Sequence, residues 1–61
     1  MLTDREQQML DQVVRGFTTK EIARTLRVSP RTVEAYRAHV LHKLGARNTA
    51  DLVRKAIESK A

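Results

Sequence analysis

Apolar residues recur along the chain at helical spacing, in four segments separated by short polar breaks. In the first segment they share one face of a helix, because their spacing matches a period of about 3.6 residues. That face holds Met9, Leu10, Val13 and Val14. The pattern recurs three times and predicts an all-α domain. Its helices are expected at about residues 4–15, 19–26, 30–44 and 49–59.

Capping residues mark where each predicted helix begins. The first two helices open with a capping box, in which a threonine and a glutamate three residues later satisfy each other's backbone N–H groups. The third opens with a serine cap followed by proline, and the fourth with an asparagine cap. These residues are Thr3 with Glu6, Thr18 with Glu21, Ser29 with Pro30, and Asn48.

Glycines and one short turn mark where the helices end. Gly16 and Gly45 follow the first and third segments, where a left-handed backbone conformation often closes a helix. Phe17, directly after Gly16, is expected to enter the core. The second and third helices are joined by a turn of three residues, 27–29, which is the spacing of a helix-turn-helix. We expect that motif at about residues 19–38.

A projection of the third helix at about 100° per residue separates an inner face from an outer face. Val33, Val40 and Leu44 are expected to face the core. Tyr36 is expected at the edge of the core. Arg37 projects nearer to the inner face, so its aliphatic stem is expected to be buried while its charged end reaches solvent.

Small residues occupy the middle of the outer face. Ala35 and Ala38 lie there, with Arg31 and His42 on the same side and Glu34 at its edge. Small side chains let a helix approach another surface closely, and the DNA major groove is wide enough to admit a helix. The alternative is that the alanines simply favour helix formation.

If this face docks on DNA, the chemistry of its residues assigns their roles. Arg31 can donate two hydrogen bonds to guanine or hold a phosphate, and Glu34 can accept one from the cytosine amino group. Ala35 and Ala38 can contact a thymine methyl group. The candidates for phosphate contacts are Lys20, Thr32, His39 and Lys43. Each of the charged candidates could instead be a solvated surface residue.

Charge narrows the class of partner. Twelve Lys and Arg against seven Asp and Glu give a net charge of +5. This balance suits nucleic acid, although a generic basic surface has the same charge. Single-strand binders stack bases on aromatic platforms, and this chain has only Phe17 and Tyr36. Double-stranded DNA is therefore the favoured partner.

Length and composition exclude several other classes of protein. The 61 residues predict one domain, 1–61, and the absence of cysteine excludes a disulfide framework. His39 and His42 lack a third ligand, so neither a metal nor a cofactor is expected. No apolar run could span a membrane and the start is unlike a signal peptide, so the expected location is the cytoplasm. No catalytic arrangement of nucleophile, base and orienting group is evident, so we expect no enzyme.

These elements together resemble the LuxR-type helix-turn-helix domain, especially the branch found in NarL/FixJ-like response regulators. The similarity covers nearly the whole chain, from Leu2 to about Ala56. It rests on the spacing of many elements, which is more specific than a single motif. The matching residues are Leu2-Thr3, Arg5-Glu6, Gly16, Lys20-Glu21-Ile22-Ala23, Leu26, Val28-Ser29-Pro30-Arg31-Thr32-Val33-Glu34, Lys43-Leu44-Gly45-Ala46 and Val53.

The resemblance implies a four-helix fold whose third helix reads the major groove. Its base-reading positions correspond to Glu34, Ala35 and Ala38, with Arg31 near them. Its contacts with the DNA backbone correspond to Lys20, Thr32 and Lys43. The chain departs from the family at Tyr36, where histidine is usual, and at the two alanines, where many relatives have larger or basic residues. Fewer direct hydrogen bonds to bases are therefore expected, and the target sequence stays undefined.

The resemblance also implies partners. The family's fourth helix often forms a homodimer contact, which here would use the outer side of residues 49–59, with Leu52, Val53 and Ala56 as the candidate residues. The dimer would bind inverted half-sites. Relatives usually carry an N-terminal receiver or ligand-sensing domain. The chain is then either an excised output domain of a bacterial transcription regulator or a stand-alone regulator. RNA polymerase is a further candidate partner.

Two other functions remain open from the sequence. A sigma-factor region that binds promoter DNA shares the helix-turn-helix but does not need the fourth helix. A protein-interaction module without a DNA role would instead use the apolar stripe of that helix, which is formed by Leu52, Val53, Ala56 and Ile57.

Overall fold

The structure, a computed structural model, describes residues 2–60, with side chains as far as residue 58. This part of the chain forms four α helices and no β strand. They are α1 (Asp4–Val14), α2 (Thr19–Leu26), α3 (Pro30–Leu44) and α4 (Thr49–Lys60). The all-α fold is confirmed, and every helix ends within one residue of its expected bounds.

The predicted caps form the expected hydrogen bonds. At the start of α1, Glu6 N donates to Thr3 Oγ1 over 3.2 Å, and Thr3 N donates to Glu6 Oε1 over 2.9 Å. Thr18 and Glu21 form the same reciprocal pair before α2. Caps of this kind satisfy N–H groups that the first turn of a helix leaves unpaired. The side chains of Ser29 and Asn48 cap α3 and α4.

Each of the first three helices is followed by a residue with a left-handed backbone conformation. The N–H of the next residue then donates to the carbonyl group five residues earlier. After α1 and α3 the left-handed residue is a glycine, as predicted: Gly16 has φ 91° and Gly45 has φ 65°. After α2 it is Arg27, whose φ of 59° is uncommon for a residue with a side chain. The closing bonds run from Phe17 N to Gln12 O, from Val28 N to Ala23 O and from Ala46 N to Leu41 O.

A side chain from α1 also holds the turn between α2 and α3. Arg5 Nη1 donates to Leu26 O over 2.7 Å. Leu26 is the last residue of α2, and the carbonyl groups in the last turn of a helix have no N–H partner within that helix. Arg5 therefore satisfies that carbonyl and ties the end of α2 to α1.

The core lies where the four helices meet. α1 and α3 each contact all three other helices, whereas α2 and α4 lie apart on either side of them. Burial of apolar side chains at these contacts is the main source of stability in so small a domain. The fully buried side chains are Met9, Ile22, Val33, Val40 and Leu52, and around them lie Leu10, Val13, Ala23, Leu26 and Ala56.

Two apolar residues that were expected inside, Phe17 and Leu44, are at the surface, and so is Ile57. Phe17 is 44% exposed. Its backbone N–H bonds to the end of α1 and the next residue caps α2, so Phe17 lies outside both helices. Leu44 is 37% exposed, because it is the final residue of α3, beyond the last core residue of that helix. Ile57 is 54% exposed, since five residues place it about 140° around α4 from Leu52.

Candidate nucleic-acid interface

The four residues predicted to read bases are exposed along the first half of α3. Within the described residues, no hydrogen bond or ion pair engages the Arg31 guanidinium or the Glu34 carboxylate, so both groups are available to a partner. The structure gives these residues the accessibility that base reading requires, while the role itself stays a prediction. The four residues are Arg31, Glu34, Ala35 and Ala38.

The two alanines leave the backbone of α3 uncovered at the centre of this face. A helix with its side chains is about 10–12 Å across, and the major groove is about 12 Å wide. Ala35 and Ala38 are both exposed, so neither is used for packing inside the domain. Their small size allows the helix axis to approach a groove floor more closely than long side chains would.

The first turn of α3 is fixed before any partner binds. Ser29 Oγ accepts a hydrogen bond from Thr32 N over 3.1 Å, and Pro30 stands where no backbone N–H is needed. The hydroxyl oxygens of Ser29 and Thr32 also lie 3.0 Å apart and share a hydrogen bond. Thr32, a predicted phosphate contact, is therefore half-buried and already oriented.

Lys20, another predicted phosphate contact, is exposed in the first turn of α2. The first turn of a helix attracts anions, because its backbone N–H groups point outward along the helix axis. In the described chain, no ion pair engages the Lys20 ammonium. Lys20 is thus a cation without local compensation at a position suited to a phosphate.

The other two predicted phosphate contacts meet at a buried carboxylate. Lys43 Nζ lies 2.8 Å from Glu6 Oε1, and His39 Nδ1 lies 3.8 Å from Glu6 Oε2. Glu6 is only 4% exposed and also accepts the Thr3 backbone N–H of its capping box. The carboxylate therefore connects the start of α1 with the C-terminal half of α3.

The contacts of Glu6 keep it charged. The hydrogen bond from Lys43, followed by that from the Thr3 backbone, lowers the pKa of Glu6 from 4.5 to about 2. The carboxylate thus compensates the charge of Lys43, and a phosphate would have to share this ammonium group with Glu6. His39 is 67% exposed and remains accessible. The sequence did not reveal this cluster, since Glu6 and Lys43 lie 37 residues apart.

Arg37 links α3 to the start of α2. Its Nη2 donates to Thr19 Oγ1 over 2.9 Å, and its Nε is buried without a hydrogen-bond partner among the described residues. The side chain as a whole is half-buried, as the projection predicted. The projection did not reveal the contact with Thr19.

The residues predicted for a dimer contact need correction. Leu52 is fully buried and Ala56 is almost so; both belong to the core, and Val53 packs against it. Leu52 and Ala56 are therefore not accessible to a second subunit. An apolar stripe on a helix has the same spacing whether it faces a core or a partner, so the sequence could not separate these cases. Among the described residues of α4, the large apolar side chain that is exposed is Ile57.

Charged side chains form a linked group on the outer side of α4. Arg54 pairs with Asp51 over 2.6 Å and with Glu58 over 3.0 Å. The backbone N–H of Arg47, and then the Arg54 guanidinium, lower the pKa of Asp51 below its usual value. Exposed pairs of this type are screened by solvent and contribute little to stability, so they orient side chains more than they stabilise the fold.

An apolar groove of about 250 Å³ lies between α1, the end of α3 and α4. The exposed residues Leu44 and Ile57 both border this groove, so the two apolar side chains lie in the same region of the surface. Its other apolar lining residues are Leu2, Leu10, Val14 and Ala56.

Residues 2–58 contain no group of three His, Cys, Asp or Glu side chains close enough to hold a metal ion. None of the four described helices combines the length and the apolar character needed to cross a membrane.

Comparison with known families gives one match over most of the chain. Residues 1–56 match the family described as "GerE: Bacterial regulatory proteins, luxR family". In the crystal structure of the phage VqmA–DPO complex, a region superimposes on 95% of this chain with a TM-score of 0.91 and 40% sequence identity, and covers 27% of that structure's chain.

Curated relatives are transcriptional regulatory proteins. The protein TdiR of Thauera aromatica is 48% identical over 52 residues, which cover 85% of this chain and 23% of TdiR. FixJ of Rhizobium meliloti is 48% identical over 56 residues (92% and 28%), and UhpA of Escherichia coli K12 is 40% identical over 57 residues (93% and 29%). The chain therefore spans about a quarter of the length of these relatives.

Proposed function

The chain belongs to the LuxR family of bacterial regulatory proteins, and from this membership we propose that it reads a specific sequence in double-stranded DNA. The observation that carries the proposal is the exposed face of α3, where small residues lie between charged side chains that have no hydrogen bond or ion pair among the described residues. We propose that this face enters the major groove. A sigma-factor region and an enzyme are both set aside by the family assignment.

Base reading is proposed for four residues of this face. Arg31 suits the N7 and O6 acceptors of guanine, and Glu34 suits the amino group of cytosine. A carboxylate near phosphates is repelled unless it finds such a donor, so Glu34 would select against sites that lack one. Ala35 and Ala38 suit thymine methyl groups and set the depth of the helix in the groove.

Phosphate contacts are proposed for the residues that border this face. Lys20 and His39 are exposed, and Thr32 presents a preoriented hydroxyl. Lys43 pairs with Glu6, so we expect it to matter less than Lys20. These contacts fix the register of the domain on the duplex and make affinity depend on salt.

The domain is proposed to act within a larger assembly. A regulator of the length of the relatives would carry a sensing domain, of the receiver or ligand-binding type, that controls pairing of two DNA-binding domains. Two copies would bind inverted half-sites about one helical turn apart. In place of Leu52 and Ala56, the contact would use the outer side of α4 around Ile57. RNA polymerase would be the partner for activation.

The test of the proposed interface adds a charge at its centre. Ala38→Glu should reduce affinity for a duplex selected by the wild-type domain at least tenfold, because the carboxylate would face base edges and phosphates across a short distance. Helicity by circular dichroism should stay unchanged, since Ala38 is exposed. Fluorescence anisotropy would measure the affinity.

Gln8→Glu is the matched control for net charge. Gln8 is exposed on α1, outside the helix-turn-helix, so this variant adds the same charge away from the proposed interface. It should bind within about twofold of the wild type. Equal binding by Ala38→Glu and Gln8→Glu would reject the assigned face.

A further inference from the structure

The hydrogen bond between Arg37 and Thr19 lies at the open end of the helix-turn-helix. The turn joins the end of α2 to the start of α3, and so fixes the two helices relative to each other only at that end. Thr19 begins α2, seven residues before Leu26, and Arg37 lies seven residues after Pro30. At 1.5 Å per residue, both are about 10 Å from the turn along their helices.

The remaining contacts between α2 and α3 are mostly apolar. Ile22, Leu26 and Val33 are buried at this contact, and apolar burial is non-directional. A guanidinium group is planar and donates in fixed directions, so its hydrogen bond constrains angle as well as distance. Between the described residues of α2 and α3, the bond from Arg37 Nη2 to Thr19 Oγ1 supplies this constraint at 2.9 Å.

Packing alone does not account for an arginine at position 37. Its Nε is buried without a hydrogen-bond partner in the described chain, and an unsatisfied buried donor is destabilising. An unbranched apolar side chain such as methionine would fill a half-buried position without that cost. The directional contact with Thr19 is what an apolar residue could not reproduce.

We propose that Arg37 is a positioning residue for DNA reading: through Thr19 it fixes the orientation of α2 relative to α3. This inference rests on the proposed function. Thr19 directly precedes Lys20, so the bond places a proposed phosphate contact at a set distance from the base-reading face of α3. A phosphate bound at the start of α2 then sets the register in which Arg31 and Glu34 meet base edges. Loss of the bond should reduce discrimination between sequences more than overall attraction to DNA.

The experiment compares affinity for a selected duplex with affinity for random duplex, in the same salt. Arg37→Met removes the donor, and Thr19→Val removes the acceptor with almost no change of shape. Each should lower the ratio of the two affinities about tenfold while affinity for random duplex changes less than about threefold. The double variant should be no worse than Arg37→Met alone, because both changes break one interaction.

Two controls separate this role from stability and from charge. Thr19→Ser keeps the hydroxyl and should keep the wild-type ratio. Arg15→Met removes one positive charge outside the helix-turn-helix, and should lower both affinities equally. If Arg37→Met fails to fold, as circular dichroism would report, the comparison of Thr19→Val with Thr19→Ser still decides, since both retain Arg37.

Wild-type discrimination by Thr19→Val would overturn the proposal. If Arg37→Met then also lowered both affinities and reduced the slope of log K against log salt by about one, Arg37 would be a direct phosphate ligand instead. A wild-type domain that does not discriminate between sequences would overturn the proposed function, and the positioning role with it. These results differ, so failure of either proposal can be recognised.

Discussion

Glu6 performs two structural tasks with one carboxylate. It completes the capping box of α1 through the Thr3 backbone, and it holds Lys43 of α3 through a 2.8 Å contact. The capping box is readable from local spacing, and it accounts for Glu6 fully at that level. The contact with Lys43 depends on how two distant helices pack, which no local pattern contains.

The pKa of Glu6 predicts how stability responds to acid. The folded value of about 2 lies below the ordinary value of 4.5. The contribution of Glu6 is therefore fully present above about pH 4.5 and is lost as the pH falls toward 2. Glu6→Gln should be less stable than the wild type at pH 6, and the difference should shrink as the pH approaches 2. Thermal unfolding monitored by circular dichroism between pH 2 and pH 6 measures this.

Glu58→Gln is the matched control for that experiment. It removes an exposed carboxylate that pairs with Arg54 on the same helix. Its unfolding temperature should differ little from that of the wild type at pH 6, because exposed pairs contribute little. A constant difference between wild type and Glu6→Gln across the whole range would contradict the assigned role of the ionised carboxylate.

At the scale of the elements, the helix bounds followed from the sequence because each boundary has a local chemical cause. Threonine, serine and asparagine caps begin the helices, and Gly16 and Gly45 adopt the left-handed conformation that ends two of them. The left-handed conformation of Arg27 was not predicted. That conformation is imposed by the closing bond from Val28 N and by the contact of Arg5 with Leu26 O.

The inner and outer faces of the helices were only partly predictable. Spacing identifies an apolar stripe but not where the stripe leaves the core, so Leu44 was misplaced, and Leu52 and Ala56 were assigned to a partner. The outer face of α3 was easier, because polar residues and alanines there have no reason to be buried. The contacts of Glu6 with Lys43 and of Arg37 with Thr19 required the packed structure.

The left-handed Arg27 predicts a stabilising substitution. Arg27→Gly should raise the free energy of unfolding by about 0.5–1 kcal/mol, because glycine adopts φ near 59° without the clash of a side chain. Arg27→Ala keeps the strained backbone and should give no such gain. Chemical denaturation measures both variants, and equal stability of the glycine and alanine variants would contradict backbone strain at this position.

At the scale of the whole molecule, the arrangement of helices separates two surfaces. The backbones of α2 and α4 do not approach each other, whereas each of these helices packs against both α1 and α3. The proposed DNA contacts lie on α2 and α3, while Ile57 lies on α4 beside the apolar groove. Two copies could therefore meet through α4 while both helix-turn-helix motifs remain available to DNA.

This separation predicts weak self-association that involves Ile57. Sedimentation of the domain at high concentration, or on a duplex with inverted half-sites, should show a dimer that Ile57→Asp abolishes, because a charge would replace the exposed apolar residue of the contact. Phe17→Asp makes the same change at a surface residue remote from α4 in the chain and should still associate. Strictly monomeric sedimentation in both conditions would remove the proposed dimer contact.

Selection from a library of random duplex DNA tests the central claim most directly. We expect enrichment of a short motif, followed by titrations in which log K for that motif falls linearly with log salt and stays well above log K for random duplex. Salt-sensitive binding without any enriched motif would contradict sequence reading by this domain. Absence of binding at low salt would contradict the assignment of its basic surface to DNA altogether.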